Sequence, residues 1–396
     1  MVSGAHAAAT VLLRAEYIVR MRSSIAGLRS GDEGKTSGGA LTFRGVALAA
    51  LLIVSVACGG SRPATLHEED TLESGALPVT VVTGPSAGPT VTFVAGVHGG
   101  KVAAIRAVER LRRELDGQLL AGRVLLVSPV NAAGYHAGLA QLSPLDSLNL
   151  NRVFPGRTNG APTERLAARV MREIVSQSDF LVDMHGSDGE EAVGAFAYAA
   201  RPGVDLSVDT AALILARAWG TPVIVWDDAG PRTLETSRYL QTAAHLSGVP
   251  AITVFETSAS RVDAAATRAF VRGARAVLEE FGMLDTSRNV TRPATLRIDV
   301  EFPTESALQR RAHPAPLVLP HRDASLAPIA GRWAPAVRPG DQVAARELLG
   351  VLHDSARVGV EIRSLGAGRV LHQRLAGPVT AGTTLIILGV TATPSP

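Results

Sequence analysis

The chain has 396 residues, of which 46% are hydrophobic and 19% are charged, a composition that is typical of a folded protein and excludes extensive disorder. Its formal net charge is only +3 and its basic residues form no block, so the sequence does not indicate nucleic-acid binding. The length suits a leader followed by two domains.

The start of the chain has the features of a bacterial export leader. An apolar run, Gly45–Ala57, follows a basic residue and is shorter than the roughly 20 residues of a membrane-spanning helix. It ends in Ser-Val-Ala-Cys-Gly at 55–59, which resembles a lipobox, although Leu is usual at the position of Ser55. The alternative is an ordinary secretory segment in which Cys58, the single cysteine, is incidental.

We therefore predict a leader at residues 1–57, whose early part is disordered or an overextended start, and a polar tether at 58–77. Lipid on Cys58 would anchor the exported protein at the bacterial cell envelope, on the periplasmic or outer face of a membrane.

Strand-like and helix-like segments alternate between residues 78 and 288. The apolar, β-branched run Val91–Val97 predicts a buried strand, and apolar residues at 104–115 recur at helical spacing. Further strands are predicted at Val124–Val127, Phe180–Met184, Pro222–Trp226 and Ala251–Phe255, and further helices at Thr163–Val175, Thr210–Trp219 and Val262–Phe281. Such alternation predicts an α/β sheet with helices on both faces.

The pattern changes from about Asn289 onward, where helical periodicity disappears. Short β-type segments separated by Pro and Gly follow at Thr295–Val300, Val358–Ile362, Val370–Leu375 and Thr384–Leu388. They predict a small all-β domain over residues 289–396.

Three polar residues follow predicted strands of the α/β region: His98, His185 and Glu256. Each alone has an ordinary structural explanation, but ligands gather where the strands of such sheets end. Two neutral imidazoles suit Zn²⁺, and a nearby carboxylate can take a proton from metal-bound water. Asp183, two residues before His185, lies on the same side of the strand and is expected to orient that ring.

A separate loop, Asn149–Gly156, reads Asn-Leu-Asn-Arg-Val-Phe-Pro-Gly. Turn chemistry before Pro-Gly would explain it without a function. The pair Asn151 and Arg152 also offers donors in the fixed arrangement that suits a substrate carboxylate.

The order of these motifs resembles the succinylglutamate desuccinylase/aspartoacylase family, which belongs with the zinc carboxypeptidases. The resemblance covers roughly residues 91–284, and the Asn149–Gly156 loop is its most specific part. It implies a three-layer α/β/α zinc-carboxypeptidase-like domain with a mixed sheet, followed by a small, barrel-sandwich-like all-β domain.

The resemblance also implies the site. One zinc ion would be held by His98 and His185, a substrate carboxylate by Asn151 and Arg152, and Glu256 would be the general base. The implied activity is zinc-dependent hydrolysis of an amide or ester bond in a small N-acyl compound, or at a peptide end, that carries a carboxylate.

The sequence departs from the family pattern at Lys101, where relatives have a Glu that is the third metal ligand. A protonated lysine has no lone pair and cannot coordinate zinc. Gly138 stands where relatives often carry an arginine, and Thr257 and Ser258 replace glycines.

Two hypotheses remain. In the first, the chain is a zinc hydrolase whose third ligand comes from Asp188, Glu190 or Glu191. In the second, it is a catalytically inactive, lipid-anchored binding protein. The persistence of the two histidines, the Asn-Arg pair and Glu256 favours the hydrolase.

Overall fold

The computed structural model describes residues 77–285, 316–356 and 358–390. The predicted leader, the lipid site at Cys58 and the predicted strand Thr295–Val300 lie outside these ranges, as does all of the tether except Leu77. The described residues all belong to one compact unit. Within the described ranges, no helix is long and apolar enough to cross a membrane.

The helices of the described residues all lie before residue 285. They are α1 (Val102–Glu114), α2 (Ala132–His136), α3 (Pro162–Glu173), α4 (Leu206–Trp219), α5 (Leu240–Leu246) and α6 (Ala264–Glu280). Short 3-10 turns occur at Leu150–Arg152, Val175–Gln177 and Leu234–Thr236.

The strands fall into three sheets. In chain order they are β1 (Val79–Thr83), β2 (Ser86–Ala95), β3 (Ala121–Val127), β4 (Phe180–His185), β5 (Glu191–Val193), β6 (Phe196–Ala200), β7 (Val223–Asp227), β8 (Ala251–Phe255), β9 (Leu317–Leu319), β10 (His321–Leu326), β11 (Gly331–Pro335), β12 (Gln342–Val343), β13 (Leu348–His353), β14 (Gly359–Arg363), β15 (Gly368–Arg374), β16 (Gly377–Val379) and β17 (Thr384–Val390).

The largest sheet has eight strands in the order β1-β3-β2-β4-β8-β6-β7-β9. Strands β3, β2, β4 and β8 run parallel at its centre, whereas β1 pairs antiparallel with β3 and β6 antiparallel with β8. Helices α1, α4 and α6 pack together, and α3 and α5 contribute to a separate core that includes Leu125, Leu181 and Ala251. The predicted mixed sheet in a three-layer α/β/α arrangement is therefore confirmed.

Trp219, at the end of α4, fixes the packing of one helical layer. Its ring lies 6.5 Å from the ring of Phe93 on β2 and 6.4 Å from that of Phe270 on α6. A Cβ atom at Gly273 would lie 2.3 Å from this indole ring, so only glycine allows α6 to approach so closely.

The C-terminal part is all-β, as predicted, and contains a five-stranded and a four-stranded sheet. Its core includes Trp333, Leu349 and Leu385, all almost completely buried. Two strands join the α/β and all-β parts: β9 pairs with β7 of the large sheet, and β5 pairs with β15 of the five-stranded sheet.

Candidate functional site

A cavity of about 750 Å³ is lined by residues of both parts of the protein. Four of the five residues that were predicted to form the site line it: His98, His185, Asn151 and Arg152. Glu256 is absent from its wall. Lys101, Glu191, Arg322 and His372 join the lining, and the last two come from the all-β part.

His98 and His185 lie side by side at the ends of β2 and β4, which are parallel neighbours. Their ring centroids are 5.2 Å apart in an edge-to-face arrangement, and both residues are buried. The carboxyl ends of adjacent strands meet at one sheet edge, which explains how residues 87 positions apart come together.

Both imidazoles are oriented through Nε2. The Nε2 atom of His185 lies 2.9 Å from the Asp183 carboxylate, which confirms the predicted orienting role of Asp183. His98 Nε2 lies 2.9 Å from the side-chain oxygen of Asn149, an atom that can only accept, so this nitrogen carries the proton. Burial, followed by the proximity of His185 and Lys101, lowers the pKa of His98 well below its usual value. His98 is therefore neutral, and its buried Nδ1 lone pair has no hydrogen-bond partner among the described residues.

Lys101 immediately precedes α1, and its side chain is only 4% exposed. Its ammonium donates a hydrogen bond to Glu191 and lies 3.5 Å from the carboxylate of Asp188. His372 of β15 contacts the other oxygen of Glu191. We call Lys101, Asp188, Glu191 and His372 the lysine cluster.

Both carboxylates of the lysine cluster are paired with the same ammonium. Burial would raise the pKa of Glu191, but Lys101 and then His372 outweigh it and hold this pKa well below the usual range. Gln141 donates a 3.1 Å hydrogen bond to Asp188. Of the carboxylates that were predicted as substitute metal ligands, Asp188 and Glu191 are therefore paired with the Lys101 ammonium, and Glu190 accepts a hydrogen bond from Arg374.

A zinc ion requires three protein ligands here, and the residues present supply two. The Nδ1 lone pair of His98 and the orientation of His185 fit a zinc site. The third position is Lys101, whose ammonium forms ion pairs with Asp188 and Glu191 and has no lone pair to offer a metal. Among the described residues, no third His, Cys, Asp or Glu brings a ligand atom close enough to these two imidazoles. The residues present therefore do not fit a three-ligand zinc site.

Asp227, Asp228 and His321 do bring three ligand atoms within 4.8 Å of one another. However, Arg201 Nη2 donates to Asp228 at 2.5 Å, and Arg322 Nε lies 3.7 Å from Asp227. These guanidinium groups already balance the two carboxylates, so an ion would have to displace them.

Asn151 and Arg152 lie in the 3-10 turn before the Pro-Gly end of the loop. The Asn151 side-chain oxygen accepts a 2.9 Å hydrogen bond from the backbone of Leu240, and so ties the loop to α5. The Arg152 guanidinium lies 4.9 Å from the ring of Tyr239. No carboxylate of the described residues is within ion-pair distance of it, and burial with neighbouring Arg322 and Arg238 lowers its pKa.

Arg322 reaches the same region from β10. Its guanidinium lies 4.4 Å from the ring of Tyr198 and 5.9 Å from that of Tyr239. We call Arg152, Arg322, Tyr198 and Tyr239 the arginine cluster. It presents two cations to the cavity, and Asp227 is the only carboxylate of the described residues within ion-pair distance of either of them.

The side chain of Glu256 does not line the cavity. On β8, Ala251, Thr253 and Phe255 share one face, and Thr253 and Phe255 line the cavity. Because side chains alternate along a strand, Glu256 points to the opposite layer, where it accepts a 2.9 Å hydrogen bond from Trp219. Burial raises its pKa. This orientation does not support a general-base role of Glu256 in the cavity, and that role stays a prediction.

Sequence reasoning also missed several residues of the site. Asn149 lay inside the recognised loop but was not assigned to His98, and His372 and Arg322 gave no local signal, since they arrive from the all-β part.

Comparison with known proteins finds relatives of the same family that the sequence motifs resemble. Residues 87–280 match the succinylglutamate desuccinylase/aspartoacylase catalytic domain. A curated relative, the N-alpha-acetyl-L-2,4-diaminobutyric acid deacetylase of Halomonas elongata, is 26% identical over 326 residues, which are 81% of this chain and 88% of the relative.

Two solved structures share the fold. A succinylglutamate desuccinylase/aspartoacylase from Rhodobacter sphaeroides has a TM-score of 0.64 at 23% identity, covering 80% of this chain and 89% of its own. The product-bound ectoine utilization protein EutE (DoeB) of Ruegeria pomeroyi gives the same TM-score, 0.64, at 23% identity and equal coverage. Residues 87–280 of this chain therefore match the catalytic-domain model of the succinylglutamate desuccinylase/aspartoacylase family, and the described fold is similar to that of these solved structures.

Proposed function

We propose that the cavity binds a small N-acyl compound through its carboxylate, with Arg152 as the main anion-binding group. The observation that carries this proposal is that some cations of the cavity wall are paired with carboxylates, whereas Arg152 is not. Lys101 is paired within the lysine cluster, and Arg374 donates a 2.8 Å hydrogen bond to Glu190. Arg152 has no such partner among the described residues, so its charge is free for a ligand.

The class of ligand comes from the relatives. The Halomonas elongata protein is named as a deacetylase of an N-acetylated amino acid. An N-acyl amino acid combines a carboxylate with a neutral amide, and Tyr239 beside Arg152 adds an apolar surface with a hydroxyl group. A peptide end that carries a carboxylate is the alternative ligand.

Calorimetric titration with a panel of N-acyl amino acids tests the proposal. Arg152→Met should weaken binding about 10- to 100-fold, because a hydrogen-bonded charge is lost. Arg157→Met is the matched control, since Arg157 is in the following loop and its exposed guanidinium pairs with Glu164. Equal binding by the wild type and Arg152→Met would contradict the proposal.

A second candidate is hydrolysis of the same compound. The unpartnered His98 Nδ1 beside His185 favours it, as does the deacetylase activity named for the relative. Hydrolysis would require Asp188 or Glu191 to leave Lys101 and ligate an ion with the histidines. Release of free amino acid in the presence of zinc, lost in His98→Ala, would support it, whereas binding without turnover would exclude it.

We also propose that Cys58 carries lipid and anchors the exported protein at the cell envelope. The support is the lipobox-like sequence at 55–59 after an apolar run. Labelling with a radioactive fatty acid should mark the wild type and not Cys58→Ala. Labelling of both proteins, or of neither, would contradict the assignment.

A further inference from the structure

We infer that the Lys101 ammonium is the permanent cation of this site, standing in place of a metal ion, so that the cavity binds its ligand without zinc. This goes beyond the proposed function because it holds whichever compound the cavity accepts. The inference rests on the chemistry of position 101. The resemblance implies a glutamate that binds zinc there, whereas this chain has a lysine that forms ion pairs with two carboxylates.

The position of Lys101 is the first support. It lies three residues after His98, where a third ligand would be, and it precedes α1 so that its side chain enters the site. Its backbone nitrogen donates a 3.1 Å hydrogen bond to the carbonyl of His98, which holds the two residues in one turn. A divalent ion bound by His98 would therefore face an ammonium on the same turn.

The second support is that both nearby carboxylates are already paired with Lys101. One ammonium meets two buried carboxylates, Asp188 and Glu191, and each carboxylate has a further donor, Gln141 or His372. An arriving zinc ion would be repelled by Lys101 and would have to take a carboxylate from it. Breaking a buried pair leaves an uncompensated charge, which is strongly unfavourable.

The third support is that strand pairing fixes the position of Glu191 within the lysine cluster. Strand β5, which carries Glu191, pairs with β15, which carries His372. The pairing brings Arg374 onto Glu190 as well, at 2.8 Å. Glu191 is thus fixed by backbone pairing as well as by its ion pair, and it is not a mobile surface carboxylate that could swing to a metal.

Zinc content of the purified full chain tests the inference. Each protein is incubated with zinc, desalted and measured by elemental analysis. The wild type and Lys101→Arg, which keeps the cation, should retain no zinc at this site. Lys101→Glu, which supplies a third ligand, should bind about one zinc per chain, with an affinity raised more than about 100-fold. The double variant Lys101→Glu with His98→Ala should lose that zinc.

His321→Ala serves as the control for adventitious zinc at Asp227, Asp228 and His321. Wild-type zinc that disappears in His321→Ala but persists in His98→Ala supports the inference. One zinc per wild-type chain that disappears in His98→Ala and persists in His321→Ala overturns it, as does a Lys101→Glu protein that folds and takes up no zinc.

The wild type alone decides the matter if Lys101→Glu does not fold. Its thermal unfolding midpoint, and its midpoint with ligand bound, should be the same in EDTA as in zinc. A zinc-dependent rise in the midpoint that is absent in His98→Ala would overturn the inference.

Discussion

The lysine cluster and the arginine cluster both place cations in the wall of one cavity, but they differ in how the charge is balanced. In the lysine cluster, Lys101 is almost fully buried and meets two carboxylates. In the arginine cluster, Arg152 is exposed to the cavity and has no carboxylate partner among the described residues, while Arg322 has only Asp227 at 3.7 Å.

The difference separates a structural charge from a binding charge. A buried cation without its partners would destabilise the fold, so the lysine cluster must be complete before any ligand arrives. An exposed guanidinium remains hydrated and can exchange its water for a ligand carboxylate. The two clusters should therefore respond in opposite ways to substitution: one in stability, the other in affinity.

The largest expected effect is the loss of stability in Lys101→Met. Methionine fills much of the same volume but leaves Asp188 and Glu191 buried without their cation. The free energy of unfolding should fall by about 3–5 kcal/mol. Urea denaturation measures it, with Arg110→Met as the control, since the exposed pair of Arg110 and Glu114 is worth at most about 1 kcal/mol. Equal losses in the two variants would remove the distinction between the clusters.

The second effect is on acid stability. The pKa of Glu191 is lowered in the folded protein, so its contribution is present above the unfolded value of about 4.3 and is lost as pH falls below it. The advantage of the wild type over Lys101→Met should shrink by up to about 1.4 kcal/mol per pH unit between pH 4.3 and 3. Urea unfolding at several pH values shows whether it does. A constant difference across this range would mean that Glu191 is not paired with Lys101.

The third effect is on affinity. Arg322→Met removes one of the two cations of the arginine cluster and should weaken ligand binding about tenfold, equivalent to about 1.4 kcal/mol. Stability should fall less, because the contact with Tyr198 is worth about 0.5–1 kcal/mol at a partly exposed site. Calorimetry compares the ligand affinity of Arg322→Met with that of Arg332→Met. Arg332 is an exposed residue on β11 of the same all-β part. Unchanged affinity in Arg322→Met would mean that Arg152 alone binds the ligand carboxylate.

The smallest effect is expected for Glu256→Gln, which still accepts the hydrogen bond from Trp219. Burial raises the pKa of Glu256, so the charged form is disfavoured in the folded protein and any stability gain of the variant should appear above about pH 4.3. The gain should be under about 1 kcal/mol, with no change in ligand affinity. Glu109→Gln, at an exposed position of α1, is the control. A large loss of affinity or turnover in Glu256→Gln would restore its predicted role in the site.

Much of the α/β part was predictable because its elements have local signals. The predicted strand Ala251–Phe255 matches β8, and the predicted helix Val262–Phe281 contains α6 with two extra residues at the start and one at the end. Apolar runs and helical spacing are properties of neighbouring residues, so one sequence reveals them. The all-β class of the C-terminal part followed from its Pro and Gly spacing in the same way.

The partners of β5 and β9 were not predictable. Each strand has only three residues, and each pairs with a strand that is far away in sequence. The site shows the same limit. The motifs located both histidines and the Asn-Arg pair, but His372 and Arg322 reach the cavity only because the sheets pair.

Glu256 shows that a sequence motif can locate the end of a strand without indicating the face on which the side chain lies. The sequence correctly placed Glu256 at the end of a strand. The face on which a side chain lies, however, depends on the alternation of side chains along the strand. The ion pairs of Lys101 could not be inferred from the sequence either, since its partners lie 87 and 90 positions away.

The most direct test of the different roles of the two clusters is a crystal structure with an N-acyl amino acid, grown with zinc and measured at the zinc absorption edge. We expect ligand carboxylate density at Arg152, no anomalous peak beside His98 and His185, and the Lys101 ammonium in contact with Glu191. An anomalous peak bonded to His98 Nδ1, with Lys101 displaced from Glu191, would contradict the account and restore a metal centre.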